Sequence, residues 1–194
     1  MTKKLSSAER QQQILQILAQ MLEKPKDNKI TTANIAKSIG VSEATLYRHF
    51  HNKEQMFAGL INYAETTVFS IINQINKSDN SNTIKIQHIV EVLLKFADKN
   101  PGIINLVINS QSITQSSTLA KQSTQFFRRI ESQLKQTIQQ NNIELDISND
   151  PIIYIAQANA ISAFIIGKWQ QFVLSEFKDS PLELWENQKN NLLK

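Results

Sequence analysis

Between Thr31 and Lys53 the chain gathers side chains suited to contact with a phosphate backbone and with base edges. Thr31 stands where a helix would begin, and a helix start offers free N–H groups beside the hydroxyl to an anion. Ser42, Glu43, Ala44, Thr45 and Arg48 fall on the outward side of a second short helix. Thr45 and Ala44 offer a methyl to a thymine and a small surface to base edges. Tyr47, Arg48 and His49 are donors at the far end of that helix, and Lys53 opens the next one with an ammonium group. Phosphate contacts position a protein on a duplex and base contacts choose the sequence. Ala44 and Thr45 are therefore expected to set preference, and Tyr47, His49 and Lys53 to act on every sequence alike.

These side chains need a frame, and the surrounding residues supply one. Thr31 caps a short helix whose inward positions are Ala33, Ile35, Ala36 and Ile39, and Gly40 supplies the positive φ that ends it. Val41 packs inward. Ser42 caps the helix Glu43–His49, with Leu46 and the ring of Phe50 toward the core. The spacing is that of a helix-turn-helix, whose second helix enters the major groove by its first turns. Asn52 caps the following helix, with Gln55 three residues on.

Charge placement agrees. The net charge is +4; residues 1–60 hold nine Lys or Arg against five acids, and residues 61–194 hold twelve of each. A positive field confined to the first third suits a polyanion, although a basic tail that serves solubility would look the same. Other chemistry is poorly served. Cysteine is absent, which excludes a disulfide scaffold, a thiolate zinc site and a Cys nucleophile. His49, His51 and His88 make no metal-binding pair, and there is no phosphate-cradling glycine loop and no nucleophile–base arrangement. No enzyme and no cofactor is expected. No run of about 18 apolar residues suggests a membrane span, and the first residues form no secretory segment, so a cytoplasmic protein is expected.

With only four Gly and four Pro, the chain reads as all-α, with roughly nine helices. Residues 7–24 carry Ile14, Leu15, Ile17, Leu18, Met21 and Leu22 at helical spacing, and the polar stretch from Pro25 to Lys29 breaks that helix. A long helix follows from 53 to about 77, then one over 84–96, stopped by Asn100-Pro101-Gly102. A short helix is expected over 103–108 and a loose polar turn over 111–117. Leu119 to Ile138 gives another clean stripe. Asp146 and Asp150 precede Pro151, which opens a helix to about Phe177 that is apolar nearly all round and so must be buried on more than one side. Ala156, Ala160, Ala163 and Gly167 form a small-residue stripe along it, fit for a homodimer interface or for an ordinary central helix. Ser180-Pro181-Leu182-Glu183 reads as a capping box opening a last short helix. The domains are expected as a head over 1–52 and a body over 53–194.

The blocks Ile30–Ala36, Gly40–Ala44, Leu46–Phe50 and Asn52–Phe57 resemble the TetR family of helical DNA-binding regulators. The resemblance implies a three-helix head and a body that dimerises through its last long helices, with DNA contacts from Thr31, Thr32, Ser42, Glu43, Ala44, Thr45, Tyr47, Arg48, His49 and Lys53. Further blocks, Asn100-Pro101-Gly102, Arg129–Leu134 and Phe172–Lys178, are similar to one branch of that family, the nucleoid occlusion factors. That branch implies a dimer on many palindromic chromosomal sites that antagonises the division protein FtsZ over the nucleoid. It also implies a partner surface at Tyr63, Ile71, Val92, Lys95, Lys99 and Asn100. Lys95 and Lys99 share one helix face, which a plain solvated surface would also explain. The alternative function is a ligand-responsive repressor with the same head, although the mostly Ile, Leu and Val stripes of the body suggest a filled core.

Overall fold

The computed structural model describes residues 6–24, 30–145 and 150–193. Among them are nine helices and no strand: α1 Ser7–Glu23, α2 Thr32–Ile39, α3 Glu43–His49, α4 Lys53–Asn76, α5 Asn82–Lys99, α6 Pro101–Thr114, α7 Ser117–Glu144, α8 Pro151–Leu174 and α9 Trp185–Leu192. The all-α reading holds. The expected break at Pro25–Lys29 and the expected role of Asp146 fall outside the described residues.

Helix ends follow local chemistry. Ser6 and Glu9 form a reciprocal capping box on α1. The Ser6 backbone N–H, then its hydroxyl, hold the Glu9 carboxyl below its ordinary range. That contribution to stability is present above the ordinary carboxylate range and is lost as pH falls through the lowered value. The Thr31 hydroxyl accepts from Asn34 N at 3.2 Å, and Gly40 ends α2 at φ 75°. The Ser42 hydroxyl accepts from Thr45 N at 3.2 Å. Asn52 Oδ1 accepts from Gln55 N at 2.8 Å, and Gln55 reaches back to His51 N at 3.0 Å. Asp150 caps α8 through Ile152 N at 2.9 Å.

The chain divides into two compact units. The first takes in the described residues up to Ala64 together with Asn100–Gln122. Its core joins Ile14, Leu18 and Leu22 of α1, Ile35 of α2, Leu46 of α3, Met56 and Phe57 of α4, and Ile104 and Leu106 of α6, all essentially without solvent contact. Each such side chain contributes about 1.5–3 kcal/mol of burial. The crossing of α1 and α6 is the tightest in this unit. A Cβ on Gly102 would overlap the Ala19 carbonyl oxygen. One turn on, the buried Asn105 Nδ2 donates to the Leu22 carbonyl at 2.9 Å, satisfying an acceptor that α1 leaves unpaired at its end. Replacing Asn105 by Leu is expected to strand that carbonyl and cost about 1–3 kcal/mol, read by denaturant unfolding.

Two expectations for this unit are corrected. Residues 103–108 are not a short helix followed by a loose turn: α6 continues to Thr114 through a kink at Asn109 (φ −110°, ψ 24°). The Asn109 side chain bonds to Asn105 Oδ1 at 2.9 Å across that kink, and Gln115 in the left-handed region closes the helix. Ala33 does not face inward. It is exposed, because Ile35 and Ala36 alone fill the buried side of so short a helix, with Ile39 half-buried.

The second unit comprises Glu65–Lys99 and the described residues from Ser123 onward. Val68 and Ile72 of α4, Ile89, Val90, Leu93 and Leu94 of α5, Phe126, Ile130 and Leu134 of α7, and Ile161, Ile165 and Trp169 of α8 form its core. Phe126 meets Phe69 edge-on at 5.8 Å and Trp169 at 6.1 Å between centroids. The Arg129 guanidinium covers the Phe69 ring at 4.1 Å and pairs with Glu65 at 3.2 Å. The Ser180 motif is not a capping box: Ser180 donates to Asp98 at 2.6 Å, residues 181–184 form a turn, and α9 starts at Trp185 after Leu184 in the left-handed region (φ 65°). α8 stops at Leu174, short of Phe177, because Glu176 and Phe177 adopt positive φ.

α8 corrects two further expectations. It is not covered on several sides within the chain. Ala158, Ile161, Ser162, Ile165, Trp169 and Phe172 are buried, while Ile152 is 73 % and Leu174 72 % exposed. Its most apolar window has a mean hydropathy of 1.3, so by length and composition the helix is long and apolar enough to cross a membrane, contrary to the absence of any such segment expected from sequence. Its Trp169 side nevertheless packs against Phe126 and Phe127, which is how a helix serves a protein core.

Candidate nucleic-acid interface

All ten residues expected to touch DNA lie in the first unit, on α2, α3, the cap residues before them, and the first residue of α4. Thr31, Ser42, Glu43, Ala44, Tyr47 and Arg48 are exposed; Thr32, Thr45, His49 and Lys53 are half-buried. The core side of α3 is Leu46, fully buried, so its outward side is held by packing rather than by the loop. Tyr47 is 43 % exposed, high for an aromatic ring with no aqueous role.

Hydrogen bonds within the head position several of these groups. The Thr32 hydroxyl donates to the Glu43 carboxylate at 2.7 Å, tying the start of α2 to the start of α3. The Ser42 and Thr45 hydroxyls lie 3.0 Å apart. His49 Nδ1 lies 3.3 Å from the Ser7 hydroxyl, and Gln11 of α1 donates to the His49 carbonyl at 3.2 Å. Lys53 Nζ donates to the Ile30 carbonyl at 2.8 Å and sits 5.5 Å from the Phe57 ring centre. An ammonium has three donors, so Lys53 keeps capacity for a phosphate while bracing the entry to α2. Ser7 and Gln11 escaped sequence reasoning, since nothing in α1 itself marks which polar residue meets α3.

The residues expected to meet a partner protein are placed as follows. In the first unit Tyr63 is exposed and Asn100 half-buried, just before α6. In the second unit Ile71 is exposed on α4, and α5 carries half-buried Val92 and exposed Lys95 and Lys99. Lys95 pairs with Glu91 at 2.5 Å, one turn earlier on the same helix. On α8, Ala156, Ala160 and Ala163 are exposed and Gly167 half-buried, with open space where a Gly167 Cβ would stand. Among the described residues no cluster of three or more His, Cys, Asp or Glu is grouped to hold a metal ion.

Comparison with known proteins settles the family. Residues 28–60 match the family of bacterial regulatory proteins of the tetR type, and residues 80–194 match the SlmA-like tetracyclin repressor-like C-terminal domain. The nucleoid occlusion factor SlmA of Marinomonas sp. (strain MWYL1) is 42 % identical over 181 residues, covering 93 % of this chain and 91 % of that protein. The chain belongs to the SlmA branch of the TetR family. The SlmA of Shewanella woodyi is 39 % identical over 181 residues, 92 % of this chain and 90 % of its own. The TetR fold itself recurs in solved structures. The MbdR regulator of Azoarcus sp. CIB superposes with a TM-score of 0.77 at 17 % identity, over 97 % of this chain and 98 % of that one. A TetR transcriptional regulator from Legionella pneumophila gives 0.74 at 18 % identity over the whole of both chains. The TetR match falls on the helix-turn-helix and the SlmA match on the whole body, as the two sets of sequence blocks anticipated.

Proposed function

We propose that this chain is a nucleoid occlusion factor: a homodimer in the cytoplasm, bound to palindromic sites across the nucleoid, that antagonises FtsZ ring assembly there. The observation that carries it is identity with SlmA proteins across more than nine-tenths of the chain, body as well as head. The head over 1–52 reads DNA, with Thr31, Tyr47, Arg48, His49 and Lys53 on phosphates and Ala44 and Thr45 on base edges. The uncovered α8 stripe brings two heads to two half-sites, as a twofold dimer requires. The body over 53–194 carries the FtsZ surface at Tyr63, Ile71, Val92, Lys95, Lys99 and Asn100. Exposed apolar and cationic side chains suit a short peptide with acidic and aliphatic residues.

Thr31→Ala and Tyr47→Ala are expected to weaken binding about equally on matched and scrambled duplexes, because phosphate contacts carry no sequence information. Thr45→Val is expected to shift preference instead. Titrations at one fixed salt concentration separate the two. Unchanged affinity of Tyr47→Ala would remove that contact from the account.

The FtsZ surface has its own test. Lys99→Asp reverses an exposed charge and is expected to leave DNA affinity intact while abolishing the effect on FtsZ polymers, measured by sedimentation with and without site DNA. Lys99 is a sharper probe than Lys95, whose charge Glu91 already partly satisfies. An effect on FtsZ that survives Lys99→Asp would place the surface elsewhere.

A further inference from the structure

An exposed acid on a face that meets phosphates lowers affinity for every duplex, since like charges repel. Glu43 is such an acid, and Thr32 orients it through the 2.7 Å bond to Oε2. That bond fixes the side chain before DNA arrives, so less rotamer freedom is lost on binding. The bond occupies Oε2 and leaves Oε1 able to accept another donor. Glu43 also stands between Ser42 and Ala44, in the part of a recognition helix that reaches base edges first.

A carboxylate accepts hydrogen bonds and donates none. On their major-groove edges guanine presents two acceptors and thymine one, all repelling it. Adenine sets its N6 amino group beside an acceptor, N7. Cytosine offers its N4 amino donor with no acceptor on its own edge. We propose that Glu43, held by Thr32, reads a cytosine at one position of each half-site. The proposal rests on the DNA-binding reading above and adds the base chemistry of one contact within it.

The test uses the full-length protein. Its preferred duplex is first selected from a random pool, and each half-site position is then replaced by all four bases in competition titrations. The native protein is expected to favour cytosine at one position by roughly tenfold. Glu43→Gln exchanges the acceptor-only group for an amide that donates and accepts, so preference there is expected to move to adenine while other positions stay as they were. Thr32→Val keeps the shape, removes the donor, and is expected to shrink the cytosine preference without creating another. Glu43→Gln that tightens or loosens every duplex by one factor, with the base profile unchanged, overturns the proposal: the carboxylate would then be only a charge beside phosphates. Thr32→Val with the native profile overturns the orienting role of Thr32. A native protein with no base preference at any position would instead overturn the sequence-specific reading on which the proposal stands.

Discussion

Ala160→Glu is expected to leave a folded monomer whose hold on a palindromic duplex falls by roughly a hundredfold or more. The argument starts from exposure. Ala156, Ala160 and Ala163 are uncovered in the chain, and Ile152, Ile153 and Ile155 are exposed on the same helix. An apolar face of this extent on a DNA-binding regulator marks an association surface. Around a twofold axis one stripe meets its own copy, and small residues let two backbones approach closely. A glutamate at position 160 meets no obstacle within the chain, so the fold survives. In the dimer it would bring two carboxylates together with no cation to pair them, and a buried unpaired charge costs several kcal/mol. Loss of the dimer removes the linkage of two half-site contacts. Sedimentation, helicity by circular dichroism, and titration of full and half sites together check the result. A variant that stays dimeric and binds normally would show that the dimer forms elsewhere.

Gly102→Ala is expected to lower the unfolding temperature by several degrees, corresponding to about 2 kcal/mol. The added methyl would be driven into the Ala19 carbonyl oxygen, a backbone atom that cannot rotate away as a side chain can. Either α6 moves off α1 or α1 bends, and both loosen the Asn105 bond to Leu22. Gly167→Ala is the informative contrast, because its Cβ meets nothing within 4 Å in the chain. Thermal unfolding at one fixed protein concentration compares them, since dimer stability depends on concentration. Equal melting temperatures for Gly102→Ala and the native protein would mean the crossing is looser than described. The same crossing makes α6 part of the unit that holds the DNA-reading helices.

The caps of the head were legible because their chemistry is local. Thr31, Gly40, Ser42 and Asn52 each act within three or four residues, and the structure puts every one of them to that use. What sequence could not show is pairing across the chain. Nothing around Thr32 announces that its hydroxyl meets Glu43, and nothing around Asn105 announces the end of α1. Local polarity misled over Gln111 to Thr114, where hydrogen bonds between side chain and backbone carry α6 through a polar stretch that reads as a turn. At Ser180 the capping pattern was present, but the hydroxyl was drawn to Asp98, and the helix began later. α8 misled for a different reason: an apolar helix predicts burial, and the chain alone does not contain the surface that buries its second side.

The most direct test of the central claim is a chromosome-wide map of where the protein binds in its own host. The account predicts many palindromic sites scattered over the chromosome and sparse near the replication terminus, where the division septum forms. A single occupied site beside one promoter would contradict it, and would mark the chain as a local repressor that keeps the head and fold of its family while doing other work.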